Sequence, residues 1–268
     1  MIIIGERVNA TRKSIREAIQ SKDSQKIKSE ITQQDSAGAD YIDLNASTGT
    51  GSLDQEIDDL RWLIDVALDC TEKNLAIDSA DLLVMKKAAE HLAGERPWLL
   101  NSIKGSPAVM DALLPLAATY NTPVIALAMD NTGIPKDAHQ RMDVCREIFE
   151  TASKAGILEE NIFFDPLVLP LSADITQGIV TLETLRGIKK LFTKSKTTMG
   201  LSNISHGLPK RTLINQSFFI TAISYGLDSV ICDPADRKIR EATLLGELIS
   251  GKDRHCRRFT RAVRNEEF

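Results

Sequence analysis

Nowhere in its 268 residues does the chain hold an apolar run of about eighteen residues, the length that spans a bilayer. No membrane segment is therefore expected. The opening MIIIGERVNA has no cationic leader and no small-residue cleavage site, so it reads as a first strand. Cysteine is scarce: Cys70, Cys145, Cys232 and Cys256 are scattered and form no CxxC pair. That usage suits a reducing cytoplasm, the expected location. His91, His139, His206 and His255 show no metal-ligand spacing, and no protein-bound metal is expected. Positive charge is not in excess either. A net charge of −4 argues against a nucleic-acid partner or an anionic membrane surface. Linkers, low-complexity tracts and repeats are also missing, which favours one domain over two.

What is present is 43% hydrophobic residues, ample for a core, arranged in short runs between helical patterns. The runs are IIIG (2–5), YIDLN (41–45), LAIDS (75–79), WLLNS (98–102), VIALAM (124–129), IFFDP (162–166), TMGLSN (198–203) and SVICDP (229–234). Their starts lie 23 to 39 residues apart, the length of a strand, a helix and two loops. Near-continuous apolar strands alternating with helices imply a parallel sheet covered on its faces. Eight such units predict an α/β fold, a single-domain (β/α)8 TIM barrel. Helix signals agree. Ser52 and Gln55 form a capping-box pair ahead of Ile57, Leu60, Ile64 and Leu68 on one face. Ser106 and Pro107 open another helix, and Gly94 and Gly156 stand where two helices should stop. A doubly wound open sheet is the lesser reading, because GERVNA after the first strand is not GxGxxG.

In such a barrel the chemistry collects at the C-terminal ends of the strands. Those ends carry Glu6 and Asn9, Asp43 and Asn45, Asp78 and Ser79, Asn101 and Ser102. Further round come Asp130 and Asn131, Asp165, Ser202 and Asn203, and Asp233. One acid at a strand end serves equally well as a helix cap or as the partner of a loop arginine. Asp165 fits the cap reading poorly, since Pro166 has no N–H with which to begin a helix. Many acids and amides on one rim point to a ligand that is neutral, flat and rich in N–H groups. Competing chemistries lack their residues. Only Lys104 comes near the place of a Schiff-base lysine. The segment Gly49-Thr50-Gly51-Ser52 resembles a phosphate cradle without the P-loop lysine, and a flexible loop explains it.

Eight blocks occur in order: IIIGERVN, YIDLN, AIDS, LLNS, TGIPKDAHQR, FFDPLVLP, GLSNIS and RTLIN. Together, from residue 2 to about residue 250, they resemble the pterin-binding methyltransferases. Within these the likeness is to the stand-alone methyltetrahydrofolate:corrinoid protein methyltransferases, the dihydropteroate synthase-like barrels. The resemblance implies a TIM barrel over 1–268 with pterin at the C-terminal mouth, and a homodimer. It implies tetrahydrofolate or 5-methyltetrahydrofolate as substrate, with cobalamin carried by a separate corrinoid protein. By motif, Asp78, Asn101 and Asp165 resemble the pterin-ring contacts, and Asn203 resembles the catalytic residue that reaches N5. Gly200 and Ser202 line the same wall, and Arg211 matches an arginine of the family's corresponding block. The weaker candidates around the rim are Glu6, Asn9, Asp43, Asn45 and Asp233. Two stretches depart from the family pattern: SHGLPK, which leaves His206 and Lys210 without a role, and LSADITQG, expected to shape the partner's entrance.

Two other readings keep the barrel. A dihydropteroate synthase-type enzyme would carry Asn-x-Thr-x-Asp-Ser-Phe at the first strand, and GERVNATRKS lacks the Asp-Ser-Phe. A non-catalytic folate-binding barrel would keep the pocket without the transfer. At the C-terminus, Asp253-Arg254-His255 begins like the corrinoid-binding Asp-x-His-x-x-Gly motif but lacks its glycine. The region 250–268 therefore reads as a basic helix with Arg254, Arg257, Arg258, Arg261 and Arg264 on a solvated face.

Overall fold

The computed structural model describes residues 1–49 and 51–265. Thr50, in the loop that resembles a phosphate cradle, and residues 266–268 of the expected C-terminal helix lie outside the described residues. The chain runs β1 (Ile2–Asn9), α1 (Lys13–Gln20), α2 (Ser24–Ser36), β2 (Tyr41–Asn45), α3 (Leu53–Leu68), β3 (Asn74–Asp78) and α4 (Leu82–Leu92). It continues with β4 (Trp98–Gly105), α5 (Pro107–Tyr120), β5 (Val124–Asp130), α6 (Ala138–Lys154), β6 (Ile162–Asp165) and α7 (Gln177–Leu191). The last elements are β7 (Lys196–Thr197), α8 (Arg211–Ser224), β8 (Ser229–Cys232), α9 (Arg237–Ile249) and α10 (Arg257–Arg264).

The eight strands form one parallel sheet in which β1 pairs with both β2 and β8. Between β7 and β8 the closure is sparse. It includes a bridge at Gly200 and Ile231, the bond from Ile231 N to Met199 O at 2.9 Å, and Ser229 Oγ donating to Thr197 O at 3.1 Å. The result is the expected (β/α)8 barrel, with a seam.

Two elements differ from expectation. The strand expected at 198–203 is Lys196–Thr197, and Leu201–Ser205 is a 3-10 turn. Gly200, Ser202 and Asn203 favour turns over pleated backbone, which ends the strand early. Between β1 and β2 two helices stand in place of one; Asp23 caps the second by accepting from Lys26 N at 3.0 Å. Other end signals are found where the sequence puts them. Ser52 accepts from Gln55 N at 3.2 Å, although the Gln55 amide donates to Asp59 instead of reaching back. Gly94 and Gly156 follow α4 and α6 with φ of +83° and +87°, the left-handed conformation that closes a helix.

Alternation of side chains along each strand sets up the site. Ile4, Ala76, Leu99, Ile125 and Phe163 pack together inside the barrel, with Tyr41 and Ile231 against them. Inward positions recur every second residue, so the next inward side chains toward the mouth are Glu6, Asp43, Asp78, Asn101, Asp165 and Asp233. The helices cover the outside through a separate and larger apolar layer. An apolar plug thus lies under a polar ring.

Candidate functional site

The ring is wired through β2. Parallel register puts Asp78 beside Asn101 on the neighbouring strand. Asn101 Nδ2 donates to Asp43 Oδ1 at 3.1 Å, and Asn45 Nδ2 donates to Asp78 Oδ2 at 2.9 Å. Asn45 Oδ1 in turn accepts from Ser47 N at 3.0 Å, which settles which way that amide faces. On the far side Asp165 Oδ1 accepts from Leu167 N at 2.7 Å. Glu6 accepts from Ser202 Oγ at 3.3 Å across the seam. Among the described residues, no cationic side chain is hydrogen-bonded to Glu6, Asp43, Asp78 or Asp165.

Burial without a paired cation raises the affinity of these acids for protons. Desolvation pushes Asp43 well above the usual carboxylate range, and the neighbouring Asp78 pushes it further; the bond from Asn101 opposes both. Asp78 and Glu6 are raised as well, in each case chiefly by burial. Asp165 is raised to about 7 by burial, against the pull of the Leu167 N–H and the charge of Arg141. The mouth therefore favours any ligand that returns N–H donors to these oxygens.

Other rim residues are already engaged. Asn9 Oδ1 accepts from Thr11 N at 3.0 Å in a local turn. Asp233 takes Arg7 Nη1 at 2.6 Å, while the same guanidinium holds Glu30 at 2.7 Å. Asp130 closes its own turn by accepting from Thr132 N at 2.7 Å.

The seam carries the remaining candidates. Asn203 is exposed on the 3-10 turn, and a Cβ at Gly200 would lie 3.2 Å from its Nδ2. Glycine at 200 lets the amide lie close to the backbone. Arg211, at the start of α8, donates to Ser202 O at 2.9 Å and Ser205 Oγ at 3.1 Å, so it braces that turn. Beside the turn is a cavity of about 230 Å³ lined by Glu6, Ser202, Arg211, Asn215 and Asp233. Asn215 Oδ1 is buried there and finds no hydrogen-bond partner among the described residues. A second cavity of about 240 Å³ opens where Asp78, Ser102, Lys104, Leu127 and Met129 meet.

The sequence profile of the family described as "Pterin binding enzyme" matches residues 5–233. The chain belongs to that family. Methylcorrinoid:tetrahydrofolate methyltransferase of Eubacterium limosum is 34% identical over 266 residues, covering 98% of this chain and 96% of that protein. Methionine synthase of Mycobacterium tuberculosis is 29% identical over 245 residues, covering 86% of this chain but 20% of the larger protein. Among solved structures, Yersinia pestis DHPS with a pterine-sulfa conjugate superposes with a TM-score of 0.67 at 18% identity, covering 94% and 93% of the two chains. Dihydropteroate synthase of Stenotrophomonas maltophilia gives 0.67 at 17%, covering 92% of each. At those identities the superpositions speak for the fold.

In this pterin-binding barrel one side chain escaped the sequence reading. Arg141 of α6 is fully buried and donates to Pro135 O, Pro166 O, Leu167 O and Gln177 Oε1 at 2.7–3.0 Å. It holds the backbone that carries Asp165 and Leu167, whose φ is +66°. Its only sequence signal was its place in the block TGIPKDAHQR.

Proposed function

We propose that this chain is a methyltransferase that moves a methyl group between a corrinoid, carried by a separate protein, and N5 of tetrahydrofolate. The observation that carries the reading is the set of acceptors in one mouth: Asp78, Asn101 and Asp165, with no cation among the described residues bonded to the two acids. A reduced pterin offers its 2-amino group, N3–H and N8–H along one side. Acceptors on strands β3, β4 and β6 match that edge, and ionised ones hold it by charge-assisted bonds. Family membership and the methyltransferase from Eubacterium limosum support the same reading.

Asn203 belongs on N5. In transfer to the folate, the N5 lone pair forms the new N–C bond, the Co–C electron pair stays on cobalt, and N5 gives up its proton to solvent. In reverse, the cobalt pair attacks the methyl carbon, the N–C pair returns to N5, and N5 takes up a proton from solvent. An amide is no proton source at ordinary pH, but its N–H stabilises the lone pair that develops at N5. Gly200 and Ser202 line the wall below Asn203, and Arg211 holds the turn. Rate enhancement then comes from positioning and transition-state hydrogen bonding, with no covalent enzyme intermediate. Residues 1–268 act as one cytoplasmic pterin-binding unit, and the family resemblance makes it a homodimer, a state that sedimentation tests.

Incubation with methylcobalamin and tetrahydrofolate, followed by the cobalt absorption spectrum, tests the activity. Loss of the methylcobalt band with formation of 5-methyltetrahydrofolate is expected. Folate binding without transfer, either from this donor or from a methylated corrinoid protein, would establish the non-catalytic reading. Condensation of a pterin with p-aminobenzoate would establish the synthase reading.

A further inference from the structure

We propose that β2 furnishes a positioning layer for the site: Asp43 and Asn45 orient Asn101 and Asp78 and do not themselves meet the pterin. This rests on the pterin reading above. Asp43 is 2% exposed and Asn101 is 8% exposed, so the bond between them lies under the ligand surface.

The direction of that bond has a chemical consequence. An isolated carboxamide can turn over and present either its oxygen or its NH2 group. Here Asn101 Nδ2 faces Asp43 Oδ1, and an ionised Asp43 can only accept, so turning the amide would set two acceptor oxygens against each other. Asn101 Oδ1, which receives no hydrogen bond among the described residues, is left as the group for the ligand. Asn45 acts the same way one strand over. Its Oδ1 is fixed by Ser47 N at 3.0 Å, so its Nδ2 must donate, and it holds Asp78 Oδ2 at 2.9 Å. That leaves Asp78 Oδ1 for the ligand. The wall so built turns acceptor oxygens of Asn101 and Asp78 toward the pterin edge.

Exchanging the two partners tests this. In Asp43→Asn with Asn101→Asp, the new amide at 43 donates to the new carboxylate at 101, whose second oxygen again faces the ligand. Tetrahydrofolate binding is measured by calorimetry, with thermal melting as the fold check. Asp43→Leu frees the Asn101 amide, and Asn101→Asp alone sets two carboxyl groups against each other. Each single change is expected to weaken binding about tenfold, and the double exchange to return it to within about threefold of the parent. A purely structural role for Asp43 would not be rescued by the exchange. Parental affinity in a folded Asp43→Leu, or no recovery in a folded double variant, overturns the positioning role while the pterin reading stands. No tetrahydrofolate binding by the parent protein overturns both.

Discussion

At the floor of the barrel, Glu247 is 3% exposed and accepts from the guanidinium of Arg258. Nearby, Asp228 takes Lys189 Nζ at 2.8 Å. At the mouth, Asp43 is just as buried, yet its partner is the neutral amide of Asn101 at 3.1 Å. Asp165 accepts from the backbone N–H of Leu167 at 2.7 Å. At the floor Glu247 and the half-buried Asp228 are paired with cations; at the mouth Asp43 and Asp165 are held short of donors. The first arrangement serves the fold. The second leaves free energy to be recovered when a ligand supplies N–H groups, in keeping with the general division between the N- and C-terminal faces of such barrels.

Substitution can break that contrast, and the largest effect is expected at the seam. Asn203→Ala should lower kcat about 100-fold while tetrahydrofolate affinity changes by less than about threefold. Steady-state kinetics with calorimetry would check it, and equal losses in both would make Asn203 an ordinary binding residue. At Asp165, exchange for Asn should weaken tetrahydrofolate binding by about 1.5–3 kcal/mol in a titration.

The same acid sharpens the comparison through pH. Its folded pKa of about 7 exceeds the ordinary 3.8, so the folded protein holds the extra proton between those values. Its contribution to stability is present below the lower value and is lost as pH rises through the upper one. Melting of the unliganded protein should therefore fall across that window, and fall less in Asp165→Asn. Tetrahydrofolate affinity should rise across the same window, because the ligand's N–H groups prefer the ionised carboxyl.

Glu247→Ala at the floor should cost about 1–3 kcal/mol in chemical denaturation, with KM for folate unchanged. Selectivity comes next. Folic acid has no hydrogen on N8, and a wall of acceptors should bind it about tenfold more weakly than tetrahydrofolate in competition titrations. Asp233 is expected to matter least. Because Arg7 already holds it, Asp233→Asn should shift folate affinity by less than about twofold.

The contrast between the two ends was only half legible in the chain. Strand β2 reads directly from YIDLN, because apolar alternation fixes both its length and its inward face. The polar ring was legible for the same reason: each of its members sits one period beyond an apolar plug residue. Strand β7 was misplaced because TMGLSN begins as an apolar run, and only tertiary pairing decides where Gly200 turns it. Partnerships were less legible still. Nothing in the spacing of Arg7, Glu30 and Asp233 says that the first would claim both acids. The facing of the Asn45 and Asn101 amides depends on neighbours from other strands.

Arg141 ties together segments that the chain keeps well apart, reaching Pro135 O, the carbonyls of Pro166 and Leu167, and the side chain of Gln177. The loop after β6 is consequently not an interchangeable module. Anyone grafting it from another barrel to alter partner choice must transplant the stretch 135–141 along with it. Otherwise the arginine is stranded in the interior with its carbonyls gone.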